Sequence, residues 1–552
     1  MNKAERKELL WVIAWAVLIV LLASLPYVKG ALITPPGYSF TGLTHNIDDG
    51  AVYLSWMRQY ADGHVLIKNL FTNEPQPALQ FNLLFAVMGW SAAITHLPLI
   101  VVFHLARIVL GIALILCIWQ FSKLFLDEKQ RRLLVPLVGL SSGIGWLIPN
   151  VRMPIGSVDM WQPEAITFLA IYLNPLFLAG LLLMIGAFYW LESMRREGRA
   201  RYAVLAGLHL LILGNVHTYD VLTVGCVWAM YVLMLWILNR QFPARTVALS
   251  VLAVAIAVPS VAYQFHVYAM DPVYRARANT LTPSPPLWAF FEGYGIVLLG
   301  AVVGAIMMCI RARKTCADRR SSLSTSRSLL LLVWAVVGFA VPYLPISQQR
   351  KLVMGLHVPL CILCAYALSY LLLRLPGSLG RMAVLAVLIF SAGSNAAFVA
   401  LDLKLLNRGQ TVTRFAAYLS KPELDAMRYL RTHTGEDDSV LAPPGFSLFT
   451  PALAGRSVYY GHWSETPDYA GKFRQWIATA DPNTPGGKGL AILLDSKSDY
   501  FVAWQSESGF WLSDPARQRL RLAFRGGAIS HPSILVYKVI SREHRPSLQA
   551  RQ

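Results

Sequence analysis

The sequence predicts a polytopic α-helical membrane protein with a small α/β domain at its C-terminal end. Of its 552 residues, 55% are hydrophobic and only 14% are charged, well outside the usual composition of soluble proteins. Long apolar runs recur up to residue 400, whereas the remainder is polar and mixed in pattern. Because a helical span needs about 20 apolar residues, we predict about eleven spans. The predicted domains are residues 1–401, which form the transmembrane part, and residues 402–552.

The basic loops predict the topology. A net charge of +19 is also found in nucleic-acid-binding proteins, but here Lys and Arg cluster in short loops between apolar runs, as in cytoplasmic loops of membrane proteins. We therefore reject nucleic acid as a partner. The basic loops are 3–7, 123–132, 195–201, 240–245, 311–327 and 374–381. Since all can face one side, we predict a multi-pass protein of the plasma (inner) membrane with a cytoplasmic N-terminus and an extracytoplasmic C-terminal domain.

Residues 1–27 combine a basic head with an apolar body, which is typical of either a signal peptide or a first span. No small-x-small cleavage pattern follows, so we predict a retained span. The cysteines all lie in predicted spans or in a cytoplasmic loop. Cys361 and Cys364 form a CxxC inside an apolar helix without a second pair, which favours packing over zinc binding.

Residues 28–80 are predicted to form the first external loop. Helical periodicity at 51–60 and at 78–90 predicts two helices lying along the membrane surface, with their aromatic side chains at the level of the lipid headgroups. Asp48 and Asp49 stand directly before the first of these helices. Carboxylates commonly cap a helix in this position. A carboxylate held at headgroup depth could equally accept a proton from an acceptor hydroxyl.

From Asp402 onward, helical and strand patterns alternate. We predict helices in "KPELDAMRYLRTHT" and "ETPDYAGKFRQWIATA" and strands in "SVLAPP", "GRSVYYG", "DYFVAW" and "ILVYKV", with "DPNTPGGKG" as an exposed loop. This alternation predicts the small α/β domain.

The layout as a whole resembles the GT-C superfamily of integral-membrane glycosyltransferases, in a poorly characterised prokaryotic branch. The shared features are a first span, a long external loop with an acidic motif, two surface helices, many spans and an external C-terminal domain. The local resemblance is in "DDGAVYLSWMRQYADG", "DMWQPEAITF", "GNVHTYD", "QRKLVMGLHVPL" and "GRSVYYGHWSETPD". It implies that a sugar moves, with inversion, from a polyprenyl-phosphate donor to a lipid, glycan or protein acceptor at the outer face. It also implies an external-loop Asp as general base: Asp49 first, because it stands four residues before Tyr53, and Asp48 second.

The lipid phosphate in such a reaction needs fixed cations. Arg350 and Lys351 stand in a short external loop, where positive residues should be scarce, so we predict that they bind the phosphate. Attraction to anionic lipid headgroups is the alternative explanation. Arg58, and either Arg275 or Arg277, are weaker candidates of the same kind.

Further acidic and aromatic candidates come from the block "DMWQPEAITF". Glu164 follows a proline at a helix start, where a carboxylate is favourably placed in the first turn. The alternative is that Glu164 is a site residue. Asp159 and Trp161 suit contact with a sugar ring. The resemblance leaves open a divalent metal, Mg²⁺ or Mn²⁺, because the superfamily includes members with and without one. Its candidate oxygen ligands are Asp48, Asp49 and Glu164.

Two sets of polar residues lie in or near predicted spans. His104 and Arg107 are predicted a turn or two below the external surface, where an ionisable group is costly and therefore suggests function. Snorkelling is the alternative for Arg107. His217, Tyr219 and Asp220 stand at an external turn and are predicted to line the same cavity, although a capped turn also explains Asp220.

The loop with His462, Trp463 and Glu465 follows a predicted strand and could hold the acceptor or simply turn the chain. The alternative function for the whole protein is a transporter or flippase of lipid-linked saccharides. Transporters place their polar groups near the bilayer midplane, often in repeated halves. Here the acidic groups are predicted at one face and no repeat is visible, which favours the enzyme.

Overall fold

The computed structural model describes residues 3–148, 156–317, 322–371, 374–376, 378–410, 417–480, 488–505, 517–527 and 533–540. Parts of several predicted segments lie outside these ranges. Among them are residues 481–487 of the predicted exposed loop, 318–321 of the basic loop 311–327 and residue 377 of the basic loop 374–381.

Up to residue 410, the described residues form a helical bundle with one short strand. Its helices are α1 (Lys3–Leu32), α2 (Ile47–Ala61), α3 (Leu83–Thr95), α4 (Leu99–Ser122), α5 (Glu128–Leu140), α6 (Thr167–Leu173), α7 (Pro175–Glu197), α8 (Ala200–Val216), α9 (Tyr219–Asn239), α10 (Ala244–Met270), α11 (Pro272–Ala278), α12 (Leu287–Ala317), α13 (Ser322–Ala340), α14 (His357–Leu371), α15 (Leu379–Ser391) and α16 (Gly393–Leu406). Short 3₁₀ helices connect them at Gly145–Leu147, Val158–Met160, Pro163–Ala165, Val341–Tyr343 and Gln349–Val353.

The chain is a multi-pass membrane protein. Among the described residues, seven helical segments are long and apolar enough to cross a membrane, and α15 with α16, bent by 43°, makes an eighth if the pair is one span. Three further apolar helices have only 10–17 residues: Leu83–Thr95, Ala200–Val216 and Ser328–Tyr343. The predicted number of about eleven is therefore not confirmed, since length and composition support seven or eight.

Helix α2 lies inside the protein, which corrects part of the prediction for the first external loop. Both predicted helices exist, but Tyr53, Trp56 and Tyr60 are buried among protein side chains instead of projecting at a membrane surface. The Tyr53 ring stacks on Phe85 of α3 with centroids 5.0 Å apart. At Gly89 of α3, an added Cβ would lie only 2.5 Å from the Cβ of Tyr60, so the two helices approach each other as only glycine allows.

The C-terminal part is a small α/β domain. Its strands are β2 (Tyr418–Ser420), β3 (Ser439–Leu441), β4 (Ser457–Val458), β5 (Tyr500–Trp504), β6 (Leu520–Gly526) and β7 (Ile534–Val539), and its helices are α17 (Lys421–His433), α18 (Pro444–Leu453), α19 (Tyr469–Ala480) and α20 (Lys488–Asp495). Five strands form one sheet in the order β4-β3-β5-β7-β6. Strand β3 is parallel to β4 and β5, whereas β7 is antiparallel to β5 and β6. The four predicted strands and two predicted helices are present.

The loop that follows α1, predicted to be external, and the C-terminal domain are built together. Strand β1 (Tyr38–Phe40) of the loop pairs antiparallel with β2, and Ser39 lies opposite Leu419. One hydrophobic core also joins them, since Trp56 of α2 and Phe85 of α3 belong to the same buried cluster as Phe446 of α18. This shared core fixes the start of α2, and therefore Asp48 and Asp49, against the C-terminal domain.

Candidate active site

A cavity lies where the loop between α1 and α3, one end of the helical bundle and the C-terminal domain meet. It brings together residues that the sequence analysis selected from segments far apart in the chain. Those lining it are Asp49, Glu164, His217, Tyr219, Arg277, Arg350, Lys351, Trp463 and Glu465. Polar residues that we did not select also line it, among them Gln80, Asn82, Asn215, Gln264, Tyr268 and Gln348.

Asp49 lies in the first turn of α2, where a negative charge is favoured by the helix dipole. Its Oδ2 accepts a hydrogen bond from Asn46 Nδ2 at 2.6 Å, and its side chain is 36% exposed because it faces the cavity. Burial acts to raise the pKa of Asp49, but the neighbouring imidazole of His462 and the charge of Lys351 outweigh it and lower the pKa to about 2. Asp49 is therefore ionised at neutral pH.

Asp48 turns away from the cavity, which it does not line, and toward the C-terminal domain. Its Oδ2 lies 3.8 Å from His462 Nε2, and its Oδ1 is buried without a hydrogen-bond partner in the described part of the chain. Burial, and then the adjacent charge of Asp49, raise the pKa of Asp48. The two neighbouring carboxyl groups are thus unequal: Asp49 carries the charge that faces the cavity.

Arg350 and Lys351 line the cavity as predicted. The Arg350 guanidinium lies over the ring of Trp161, 5.4 Å from its centroid, and the Lys351 ammonium lies 5.1 Å from the ring centroid of Tyr219. The carbonyl of Arg350 accepts a hydrogen bond from Gln162 at 2.7 Å, which fixes the loop. Within the described ranges, no carboxylate lies within 4 Å of either cation, so both charges can meet a ligand.

Arg277, one of the two alternatives we left open, lines the cavity, whereas Arg275 bonds to backbone carbonyls at the surface. The Nε of Arg277 lies 2.8 Å from Glu465 Oε1, and its guanidinium stands 4.7 Å from the ring of Trp56. Arg277 Nη1 also donates to Gln80 Oε1 at 2.8 Å. One guanidinium therefore joins the bundle, the first loop and the C-terminal domain at the cavity wall.

The turn between α8 and α9 supplies another wall. His217 Nδ1 lies 3.0 Å from Asp220 Oδ2, and both side chains are buried. His217 lines the cavity, whereas Asp220 does not. Glu164, in the 3₁₀ helix Pro163–Ala165, contributes a second carboxyl group to the lining.

Asp159 does not reach the cavity, and its partners give a structural reason. Its Oδ2 accepts the backbone N–H groups of Gly143 at 2.8 Å and Gly145 at 3.2 Å, and Ser157 donates to its Oδ1. The carboxylate is fully buried and its charge is satisfied locally. Trp161 also does not line the cavity; it supports Arg350 from behind.

Three predicted cationic or imidazole side chains also lie elsewhere. Arg107 is buried in the bundle, where it donates to the carbonyl of Ile171 at 3.1 Å and to Ser24 Oγ at 2.8 Å. His104 contacts the carbonyl of Gly42 at 2.8 Å. Arg58 pairs with Asp62 at 3.3 Å, on the side of α2 that faces the C-terminal domain. Each of these groups is engaged by protein atoms outside the cavity.

The three carboxylates that we considered as metal ligands do not form a common site. Asp49 and Glu164 line the cavity, but Asp48 does not. Within the described ranges, no group of three or more His, Cys, Asp or Glu side chains is arranged to hold a metal ion. Among the described residues, the three candidate carboxylates therefore do not form the ligand set of the divalent metal that the sequence left open.

The fold is shared with solved glycosyltransferases. Over 97% of its length, this chain is similar to the archaeal oligosaccharyltransferase AglB from Archaeoglobus fulgidus in complex with an inhibitory peptide and a dolichol-phosphate, with a TM-score of 0.53, 12% identity and 75% of that chain covered. The same archaeal enzyme in complex with Zn and sulfate matches with a TM-score of 0.50 and 13% identity, over 95% of this chain and 73% of that one.

A mycobacterial arabinofuranosyltransferase, AftD, matches with a TM-score of 0.50 and 15% identity. The match covers 97% of this chain but only 42% of the larger enzyme. No family model and no curated protein matches the sequence. At these identities the comparisons show the fold alone, and at that level they agree with the predicted resemblance to the GT-C superfamily.

Proposed function

We propose that this protein is a membrane glycosyltransferase that moves a sugar from a polyprenyl-phosphate donor to an acceptor at the outer face of the membrane. The observation that carries the proposal is the composition of one cavity: an ionised carboxylate, Asp49, and two cations without carboxylate partners among the described residues, Arg350 and Lys351. This is the charge distribution that glycosyl transfer from a lipid phosphate requires, since one group accepts a proton and the others stabilise a leaving phosphate.

Arg350 and Lys351 bind the phosphate of the donor in this proposal. Arginine can hold two phosphate oxygens at once, and lysine adds a point charge. The rings of Trp161 and Tyr219 contact the two cations, so the charges are pre-organised before the donor arrives. The developing negative charge on the leaving phosphate then meets cations that need no rearrangement.

Asp49 receives the proton. The acceptor oxygen forms a bond to the anomeric carbon on the face opposite the phosphate, the bond from that carbon to the phosphate oxygen breaks, and the lipid phosphate leaves with the electron pair. The acceptor's proton passes to Asp49, and the sugar configuration is inverted. Because the pKa of Asp49 is about 2, its carboxylate is ionised at neutral pH. It accepts the proton only as the new bond forms and the acceptor hydroxyl becomes acidic.

The shared fold supports a lipid-linked donor. One solved structure of the archaeal oligosaccharyltransferase contains a dolichol-phosphate and an inhibitory peptide. For this chain, the donor class in the proposal is a polyprenyl phosphate sugar, and the acceptor class is a lipid, a glycan or a protein. The proposed location is the plasma membrane, with the N-terminus in the cytoplasm and the C-terminal domain outside.

The test is a donor panel. Purified full-length protein in liposomes is incubated with defined polyprenyl-phosphate sugars and acceptors, and release of lipid phosphate is followed together with the configuration of the product. We expect one donor to be consumed and the product to be inverted. If no donor is consumed but lipid-linked saccharide crosses the vesicle membrane, the protein is a transporter or flippase and the proposal is wrong.

A further inference from the structure

The imidazole of His462 stands against both carboxyl groups at the start of α2. Its Nε2 lies 3.3 Å from Asp49 Oδ1 and 3.8 Å from Asp48 Oδ2, and its side chain is only 1% exposed. It belongs to the loop between β4 and α19, more than 400 residues away from α2 in the sequence. This buried imidazole therefore influences the ionisation of both carboxyl groups.

The hydrogen on this imidazole belongs to the nitrogen nearest the carboxyl groups, although that nitrogen makes no hydrogen bond within the described residues. The backbone N–H of Ser464 lies 3.2 Å from His462 Nδ1, and a backbone N–H can only donate. Nδ1 therefore presents a lone pair, which the Ser464 hydroxyl, also at 3.2 Å, can share as a donor. The ring hydrogen is consequently on Nε2, the atom nearest Asp48 and Asp49.

This arrangement is the reverse of what a metal ligand needs. A histidine that binds a metal offers the lone pair of one nitrogen and donates its other N–H to an acceptor such as a carbonyl or a carboxylate. Here Nε2 carries the hydrogen and Nδ1 meets a donor. Together with the absence of a three-ligand cluster within the described residues, this tautomer does not suit a metal ion bound between His462, Asp48 and Asp49.

The loop that carries His462 is held firmly. Thr466 Oγ1 donates to the carbonyl of Phe71 at 2.6 Å and accepts the backbone N–H of Gly461 at 3.1 Å. Asn69 Nδ2 donates to the carbonyl of Glu465 at 2.7 Å. Because Glu465 and Thr466, which follow His462, are tied to Asn69 and Phe71, the imidazole keeps its position relative to α2.

We propose that His462 is a positioning residue: its Nε2–H occupies the place between Asp48 and Asp49 that a bridging divalent cation would need, and it holds Asp49 oriented toward the cavity without a bound metal. This inference rests on the proposed function for its catalytic consequence, but not for its metal-binding consequence. It predicts that transfer proceeds in the presence of a strong chelator.

The first experiment measures metal binding directly. Mn²⁺ is titrated into the purified full-length protein and its free concentration is followed by electron paramagnetic resonance, for the wild type and for Asp49→Asn. We expect the two titrations to coincide. A single Mn²⁺ equivalent bound by the wild type and lost in Asp49→Asn would overturn the inference, whether or not the protein proves to be a glycosyltransferase.

The second experiment tests positioning. His462→Leu removes the N–H, His462→Gln keeps an N–H donor of similar reach, and His433→Leu makes the same change at an exposed histidine of the same domain. We expect kcat of His462→Leu to fall about tenfold or more with KM for the donor unchanged, and His462→Gln to recover most of the loss. We expect His433→Leu to match the wild type.

The assays are run with a chelator present, on protein that elutes as the wild type does in size-exclusion chromatography. Wild-type kcat in both His462 variants, or loss of wild-type transfer on chelation with recovery on adding Mn²⁺, would overturn the inference. If His462→Leu does not fold, a kcat in His462→Gln within about fivefold of wild type supports the inference and a larger loss contradicts it. If no donor is consumed by any protein, the proposed function fails, and the Mn²⁺ titration still decides the metal question.

Discussion

Arg277 Nε lies 2.8 Å from Glu465 Oε1, which joins the end of the helical bundle to the C-terminal domain across the wall of the cavity. The Glu465 side chain is 6% exposed and that of Arg277 is 24% exposed. The other carboxylate oxygen of Glu465 is buried without a hydrogen-bond partner in the described part of the chain. The pair therefore forms one wall of the cavity, and Glu465 Oε2 remains able to accept a hydrogen bond there.

Removing one member of this pair should destabilise the protein. Arg277→Leu leaves the buried Glu465 carboxylate without its cation, and we expect the free energy of unfolding to fall by about 2 kcal/mol, less than for a fully buried pair because the guanidinium is partly exposed. Thermal unfolding in detergent measures this, with Arg428→Leu at an exposed helix position as the control. An unchanged melting temperature in Arg277→Leu would contradict it.

The two cations should act on donor binding. We expect Arg350→Ala to raise KM for the lipid-phosphate donor by about tenfold, because a charge-assisted contact to phosphate is worth roughly 1.5–3 kcal/mol. Trp161→Leu should raise it by a smaller factor, since the guanidinium loses the ring that positions it. Steady-state kinetics over donor concentration test both. Arg428→Ala serves as the control, and equal KM values in all four proteins would contradict the assignment.

The pH profile should reveal the link between Asp49 and His462. The pKa of Asp49 is lowered to about 2, so its ionised form persists above that value and is lost only as the pH falls through it. In His462→Leu the lowering influence of the imidazole is lost, and burial raises the pKa of Asp49 against the remaining influence of Lys351. We expect the acid limb of kcat/KM to lie at a higher pH in this variant than in the wild type. Superimposable profiles would show that the two groups are not coupled.

The close approach of α2 and α3 predicts a stability effect at Gly89. An added Cβ would lie 2.5 Å from Tyr60 Cβ and 2.6 Å from the carbonyl of Met57, so Gly89→Ala forces the helices apart. Overpacking of this kind costs about 1–3 kcal/mol. We expect a lower melting temperature and lower kcat, since α2 carries Asp49. Gly225→Ala, where no atom lies within 4 Å of an added Cβ, should leave both unchanged.

Local patterns in the sequence predicted the elements and several cavity residues. Asp49 was recognised because it opens a helix after the first span, and Arg350 and Lys351 because they are cations in a predicted external loop. Strands β3, β4, β5 and β7 of the C-terminal domain were predicted from their apolar runs, whereas β2 and β6 were missed. Strand β6 lies at the edge of the sheet, where exposed Arg521 and Arg525 interrupt the pattern.

Contacts across long stretches of sequence could not be predicted in the same way. Asp159 was a reasonable sugar ligand until the structure placed it against the backbone of Gly143 and Gly145. Burying the charge of Arg107 in a span is energetically costly, but its guanidinium donates a hydrogen bond to the carbonyl of Ile171. The contact of His462 with Asp49 depends on the docking of two distant segments, which neither segment's composition reveals.

The most direct test of the account is the rate of lipid-phosphate release by Asp49→Asn compared with the wild type and with Asp437→Asn, a change at an exposed carboxylate on the C-terminal domain. The account predicts that Asp49→Asn lowers kcat by about 10²–10⁴-fold, as expected for a group that accepts the proton in the transition state, while donor binding and the Asp437→Asn rate stay as in the wild type. Wild-type kcat in Asp49→Asn would contradict it.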